Sequence, residues 1–197
     1  RGDGRGRITV TSGDGPAGLR RGPGPARVII SATPFALDPR PLAAVTLPWR
    51  RNENSPSAGL KTLSMADNVL AARSAHPADE GIWLNTRGEL CEGTTTNVFV
   101  DLGKGLVTPP LSSGCLPGIA RAGLLARAVH WGIPVGEHAL GSDILDDVRA
   151  GRVGMFLTSA VRGVAAVASL DGHEVLRGRL TSRVEDLFTG NEGLERL

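Results

Sequence analysis

The chain has 197 residues, a formal net charge of +2 and 41% apolar residues. That length supports one sizeable core or two small ones, and the composition is that of a globular chain rather than a disordered one. No apolar run reaches membrane-spanning length, no signal-peptide pattern opens the chain and no basic stripe stands out, which sets aside membrane and nucleic-acid partners.

The opening Arg1 to Arg7 is Gly/Arg-rich and is expected to fray. Ile8 to Thr11 and Arg27 to Ala32 read as strands by β-branched content, separated by the Gly/Pro-rich loop Ser12 to Pro25. Thr33 to Pro41 carries three prolines and reads as a linker. Leu42 to Leu47 is a strand closed by Pro48, and Trp49 to Leu60 a polar loop leading into Lys61. Ser64 or Asp67 can cap a helix running to about Ser74. Strands follow at Gly81 to Asn85, Glu89 to Glu92 and Thr95 to Asp101, with a turn at Arg87-Gly88. Gly103-Lys104-Gly105 is a tight turn from which Leu106 to Thr108 returns. Gly118 to Trp131 is predicted as a helix, Ile133 to Glu137 as a strand, and Ser142 caps a helix to about Ala150. Gly154 to Ser159 and Gly163 to Leu170 are apolar strands. Asp171-Gly172 turns the chain, and Leu180 to Leu187 begins a last helix. Short strands with segregated helices point to an α+β fold.

Three stretches carry chemistry. The 22 basic residues include only two lysines, Lys61 and Lys104. Where arginine serves for surface charge, a lysine invites an amine role, because a guanidinium forms no Schiff base. Lys104 sits in a solvated hairpin turn. Lys61 lies between Leu60 and Leu63, a setting expected to desolvate its amine; a solvated loop lysine is the plain alternative. Glu92 ends a strand, either solvated or buried with a cationic partner such as a protonated pyridine nitrogen. Leu116-Pro117-Gly118-Ile119-Ala120 feeds a helix N-terminus, either an ordinary capped loop or an anion site that suits a phosphate. The four histidines share no metal-ligand spacing, so no metal is expected. Cys91 and Cys115 make no disulfide framework and read as buried thiols in a cytoplasmic protein. Gly114 to Gly118 lacks the Gly-Lys-Ser/Thr of a nucleotide P-loop.

Taken in order, Gly-Leu-Lys-Thr-Leu-Ser (59–64), Glu-Gly-Thr-Thr-Thr-Asn-Val-Phe (92–99) and Thr-Pro-Pro-Leu-Ser-Ser-Gly-Cys-Leu-Pro-Gly-Ile-Ala-Arg (108–121) resemble the class IV (fold-type IV) pyridoxal phosphate (PLP) enzymes. That family holds branched-chain aminotransferases, D-amino acid aminotransferases and aminodeoxychorismate lyases. The resemblance extends loosely to Phe156–Gly163 and spans about residues 41–170. It implies that Lys61 forms the Schiff base with PLP and shuttles the proton at the substrate α-carbon. It implies that Glu92 pairs with the pyridine nitrogen and that Leu116 packs on the ring. The backbone amides of Ile119, Ala120, Ser159 and Ala160 are implied to hold the phosphate. The family often carries threonine at Ala120 and at Ala160. Phosphate hold is expected to be weaker here unless Thr158, Ser159 or the run Thr94-Thr95-Thr96 compensates. Many members also place an aromatic where Met65 stands, and this chain has no tyrosine.

The fold so implied is the two-domain α+β fold of D-amino acid aminotransferase type. Residues 1–35 read as the remnant of a small N-terminal domain largely missing from this chain, and residues 36–197 as the large PLP-binding domain. The chain starts at Arg1, with methionine only at 65 and 155, and reads as the remainder of a longer product. The phrasing Gly-Leu-Lys-Thr-Leu and Pro-Pro-Leu-Ser-Ser-Gly resembles the lyase-like or D-amino-acid-like branch, and within it the reading leans to 4-amino-4-deoxychorismate lyase, a step of folate biosynthesis yielding 4-aminobenzoate and pyruvate. The alternatives are a class IV aminotransferase of D-amino-acid or branched-chain type, or an inactive fragment that binds PLP weakly. A small-molecule amino substrate and a homodimer are implied by the same resemblance. Arg50, Arg51 and Arg162 are candidate anion contacts, with solvated arginines the plainer reading.

Overall fold

Residues 4–189 are described in the computed structural model, and the chain divides into two compact units, Arg1–Asp38 and Pro39–Leu197. The first unit is a ribbon of β1 (Gly4–Thr11) and β2 (Arg27–Pro34), paired antiparallel. Its register sets Ile8 opposite Ile30 and Val10 opposite Val28, so the period-2 alternation gathers these four on one face. Residues 4–7, expected to fray, are in β1, because each is opposite a residue of Ser31–Pro34 on β2. Residues 1–3 of that expected frayed stretch lie outside the described residues.

The second unit is built on one mixed sheet. Its strands are β3 (Leu42–Arg51), β4 (Glu80–Asn85), β5 (Leu90–Gly93), β6 (Asn97–Asp101), β7 (Leu106–Thr108), β8 (Val135–Glu137), β9 (Gly154–Ser159), β10 (Gly163–Leu170) and β11 (His173–Glu174). The spatial order is β5-β4-β3-β10-β9-β6-β7-β8, with β11 on β10. The Gly93 N–H donates to the Thr96 carbonyl (2.8 Å), which brings β5 back against β6 and curls the sheet on itself. Among the described residues four helices accompany it: α1 (Ala66–Ala75), α2 (Ile119–Ala128), α3 (Asp143–Arg149) and α4 (Arg179–Thr189).

Strand alternation divides the core. Val98 and Val100 of β6 join Met155 and Leu157 of β9 in one cluster, which α3 closes with Leu145 and Val148. The intervening Phe99 and Phe156 face the other way, stacked at 5.0 Å between ring centroids, and pack with Ala120 and Leu124 of α2 and Val184 of α4. A third cluster, Leu47, Ala71, Trp83, Cys91 and Cys115, lies under α1.

Three expectations are corrected. Pro48 does not close β3: the strand continues to Arg51, and the pairing with β4 shifts register between Thr46 and Arg50. A proline is tolerated at such an irregularity because no ladder bond is asked of its missing N–H. Neither Ser64 nor Asp67 caps α1, whose N-cap is Met65 with no side-chain bond; Asp67 lies inside the first turn. The α2 helix ends at Ala128, with Val129 as C-cap, short of Trp131.

Candidate active site

Glu92 is the centre of the site. It lies on β5 opposite Trp83 of β4, one residue before the strand's end, and is 8% exposed. Its Oε2 accepts the Leu116 N–H at 2.8 Å, and its Oε1 lies 3.3 Å from Nη2 of Arg51. Burial is the largest influence on the Glu92 carboxyl and pushes it above its ordinary range. The Leu116 amide, Arg51 and Lys61 work against that push, and Glu80 adds to it. The Arg51 guanidinium lies over the Trp83 ring, 4.6 Å from its centroid, and reaches the Asn68 Oδ1 at 3.4 Å. Asn68 is itself held, its Nδ2 donating to the Thr94 carbonyl at 2.6 Å.

A second buried carboxylate, Glu80, stands on β4. It accepts the Thr95 N–H (3.3 Å) and the Thr95 hydroxyl (2.9 Å), and burial pushes it up as well. Cys91 and Cys115 are both buried, and burial pushes both thiols up, which keeps them neutral and unreactive.

The Leu116 loop is tied to the sheet by Asn97 of β6, whose Nδ2 donates to the Leu116 carbonyl at 2.8 Å. The same carbonyl accepts the Gly118 N–H at 2.8 Å. Gly118 is the N-cap of α2, and a Cβ there would press into the Asn97 side-chain oxygen. No side chain caps α2, so the amides of its first turn face outward without intrahelical acceptors. Thr158 of β9 is opposite Asn97 in the register. It follows Phe156 by two residues and so shares the face that packs on α2. Its hydroxyl is buried and has no hydrogen-bond partner among the described residues. An uncapped helix start beside an unpartnered hydroxyl is a donor set for an anion.

Lys61 corrects an expectation. It is exposed, as are its neighbours Leu60 (61%) and Leu63 (55%), so the two leucines do not desolvate it. The local bonds Thr62 N–H to Leu60 and Met65 N–H to Leu63 fold this stretch on itself instead of into the core. A Cβ on Gly59, two residues earlier, would meet the Cys115 carbonyl and Pro117 at 3.8 Å, which sets the Lys61 coil beside the Leu116 loop. Ile119 is exposed and Ala120 is buried at the start of α2. The Ser159 hydroxyl accepts the Arg162 N–H (3.1 Å) and so serves its own turn, next to the exposed Ala160.

Arg51, a candidate anion contact for which solvation is the plainer reading of the sequence, is a site residue: its side chain is 17% exposed and ion-paired with Glu92. The signal was the doublet Arg50-Arg51: a strand continued through Pro48 puts one of the two on the inner face. Asn97 and Asn68 left no such signal, since both act through backbone carbonyls distant in sequence. Among the described residues, no group of three or more His, Cys, Asp or Glu could hold a metal ion, and no helix is long and apolar enough to cross a membrane.

A family model for amino-transferase class IV matches residues 1–170. The chain belongs to that family. Members of the family depend on PLP. A branched-chain-amino-acid aminotransferase of Salmonella typhimurium is 31% identical over 202 residues, covering 93% of this chain. This chain spans only 63% of that relative's length. An aminodeoxychorismate lyase of Bacillus subtilis is 35% identical over 86 residues, 43% of this chain and 29% of its own. Among solved structures, a protein of Legionella pneumophila provisionally assigned as a 4-amino-4-deoxychorismate lyase superposes with a TM-score of 0.86. It covers 94% of this chain and 69% of its own at 24% identity, a likeness that carries the fold alone.

The residues present fit PLP. The buried Glu92 offers a carboxylate for a ring nitrogen, the α2 start and the Thr158 hydroxyl offer donors for a phosphate, and Lys61 brings an amine beside them.

Proposed function

We propose that this chain binds PLP and acts on the amino group of a small-molecule substrate, as an aminotransferase between an amino acid and a keto acid. The observation that carries this reading is the buried Glu92 carboxylate. It is fixed by an amide and a guanidinium, beside an uncapped helix start and within electrostatic reach of Lys61. Bound PLP supplies an aldehyde for an amine and a ring that takes up electrons from a substrate α-carbon.

In this reading Glu92 holds a proton on the ring nitrogen, and Leu116 presents its side chain to the ring while its N–H holds Glu92. The amides of Ile119, Ala120, Ser159 and Ala160 hold the phosphate. Thr158 adds the hydroxyl that alanines at 120 and 160 do not provide. Lys61 Nζ would hold the cofactor through its amine and would carry the proton at the substrate α-carbon. Its exposure leaves the amine free to swing between those tasks.

Amino transfer is supported by the length of the match to the Salmonella aminotransferase, which runs through 93% of the chain. The lyase is the second reading, favoured by the wording of 59–63 and 109–114 and by the shorter Bacillus match. We assign residues 1–35 to the small domain of the family and 36–197 to the large one, and we infer a cytoplasmic homodimer from the resemblance. The test is a substrate panel on the PLP-loaded protein: L- and D-amino acids with keto acids, against aminodeoxychorismate. Keto-acid-dependent amino transfer supports the first reading. Pyruvate release from aminodeoxychorismate alone supports the second. PLP uptake with no turnover on either marks an inactive fragment.

A further inference from the structure

We propose that Arg51 is a positioning residue of this site: laid on the Trp83 ring and facing Oε1 of Glu92, its guanidinium keeps the carboxylate anionic and aimed at the ring nitrogen of PLP. The proposal rests on the PLP reading above.

The geometry carries it. Glu92 is gripped from two sides, the Leu116 N–H on Oε2 and Arg51 on Oε1, so its carboxylate cannot turn about its last bond without losing one of them. Arg51 is in turn fixed. The buried Trp83 ring supports the face of its guanidinium, and Asn68, anchored to the Thr94 carbonyl, meets both terminal nitrogens. A planar cation resting on an indole face and forked toward an acceptor is pre-organised in a way that a flexible ammonium is not.

The charges around Glu92 explain why a fixed cation is needed. Glu80 from β4 opposes ionisation of Glu92, and the flanking thiols of Cys91 and Cys115 are neutral. Lys61 favours ionisation, but it sits on an exposed coil and is assigned to another task. That leaves Arg51 from β3 as the ion-pair partner of Glu92. A Glu92 that kept its proton would only hydrogen-bond an unprotonated ring nitrogen, and the ring's capacity for electrons would fall.

The experiment is a carbon-13 NMR titration of the Glu92 carboxyl in the cofactor-free chain, paired with PLP titrations of the same variants. In Arg51→Met the Glu92 midpoint rises by about one pH unit or more, and PLP binds about tenfold more weakly. Arg51→Gln keeps a donor and much of the volume but no charge, and its midpoint rises in the same way. Arg51→Lys restores the charge and returns the midpoint most of the way. A merely structural role predicts the opposite, rescue by glutamine with the midpoint unmoved throughout, and that result overturns the proposal. An unmoved midpoint in Arg51→Gln, with PLP uptake intact in the unaltered chain, overturns the Arg51 role alone. No PLP uptake by the unaltered chain overturns the functional reading, and the aim of the carboxylate falls with it.

Discussion

Gly118→Ala tests how the Leu116 loop is held. The Gly118 backbone (φ −68, ψ 139) suits any residue, so the substitution adds no backbone strain. What it adds is a methyl pressed into the Asn97 side-chain oxygen. Asn97 is buried, and its Nδ2 donates to the Leu116 carbonyl at 2.8 Å. Displacing it loses a bond worth about 1 kcal/mol and leaves a buried amide without a partner, a further ~1–2 kcal/mol. Gly118→Ala is therefore expected to lower the unfolding free energy by about 2–3 kcal/mol. Asn97→Ala removes the bond and the obstacle together. The Leu116 carbonyl keeps the Gly118 N–H, so that change costs about 1 kcal/mol. In the Asn97→Ala background the methyl has room, and Gly118→Ala costs under ~0.5 kcal/mol more. Urea unfolding of the four proteins measures the coupling. PLP affinity follows the same order, because the Leu116 amide holds Glu92. Strictly additive penalties would refute this account of the loop.

Three further outcomes follow from the same contacts. Burial holds the Glu80 carboxyl above its ordinary 4.5, so the folded chain binds more protons than the unfolded one. Its stabilising contribution is present below about pH 4.5 and lost as pH rises through the folded value. Glu80→Gln should raise the melting temperature more at about pH 8 than at about pH 4, and equal effects at both would contradict the burial argument. Thr158→Val removes a buried hydroxyl that has no partner among the described residues, so the cofactor-free chain keeps its stability or gains about 1 kcal/mol, while PLP binding weakens. Unchanged PLP affinity in that variant excludes Thr158 from the phosphate site. Asp101→Ala strands the Gly103 N–H and both the N–H and hydroxyl of Thr181, which Asp101 receives at 2.8–3.1 Å. It should cost about 2–4 kcal/mol in urea unfolding, and a loss under ~1 kcal/mol would mean those donors find other acceptors.

Much of this architecture is local and was readable in advance. The apolar runs 154–159 and 163–170 are strands with those bounds, since a continuous buried strand announces itself by composition. Cys91 and Cys115 read as buried thiols, and both are buried. Tertiary pairing governs the rest. Pro48 reads as a stop until the parallel pairing of β3 with β4 shows where a missing N–H is tolerated. Arg51 reads as solvated until that longer strand delivers it to Trp83 and Glu92. Leu60 and Leu63 suggested a covered lysine, but flanking apolar residues do not set burial when the backbone turns upon itself. Leu116 drew attention for its side chain, whereas its N–H and carbonyl tie Glu92 to Asn97.

The most direct test of the central claim is to incubate the chain with PLP, reduce it with borohydride and map the linkage by mass spectrometry, alongside Lys61→Ala. Because Lys61 is exposed, its removal should leave unfolding stability within about 0.5 kcal/mol, so any loss of linkage is chemical rather than structural. The account predicts one reduced pyridoxyl group, on Lys61, and none in the variant. Attachment to Lys104 instead, or equal labelling of the variant, would contradict it.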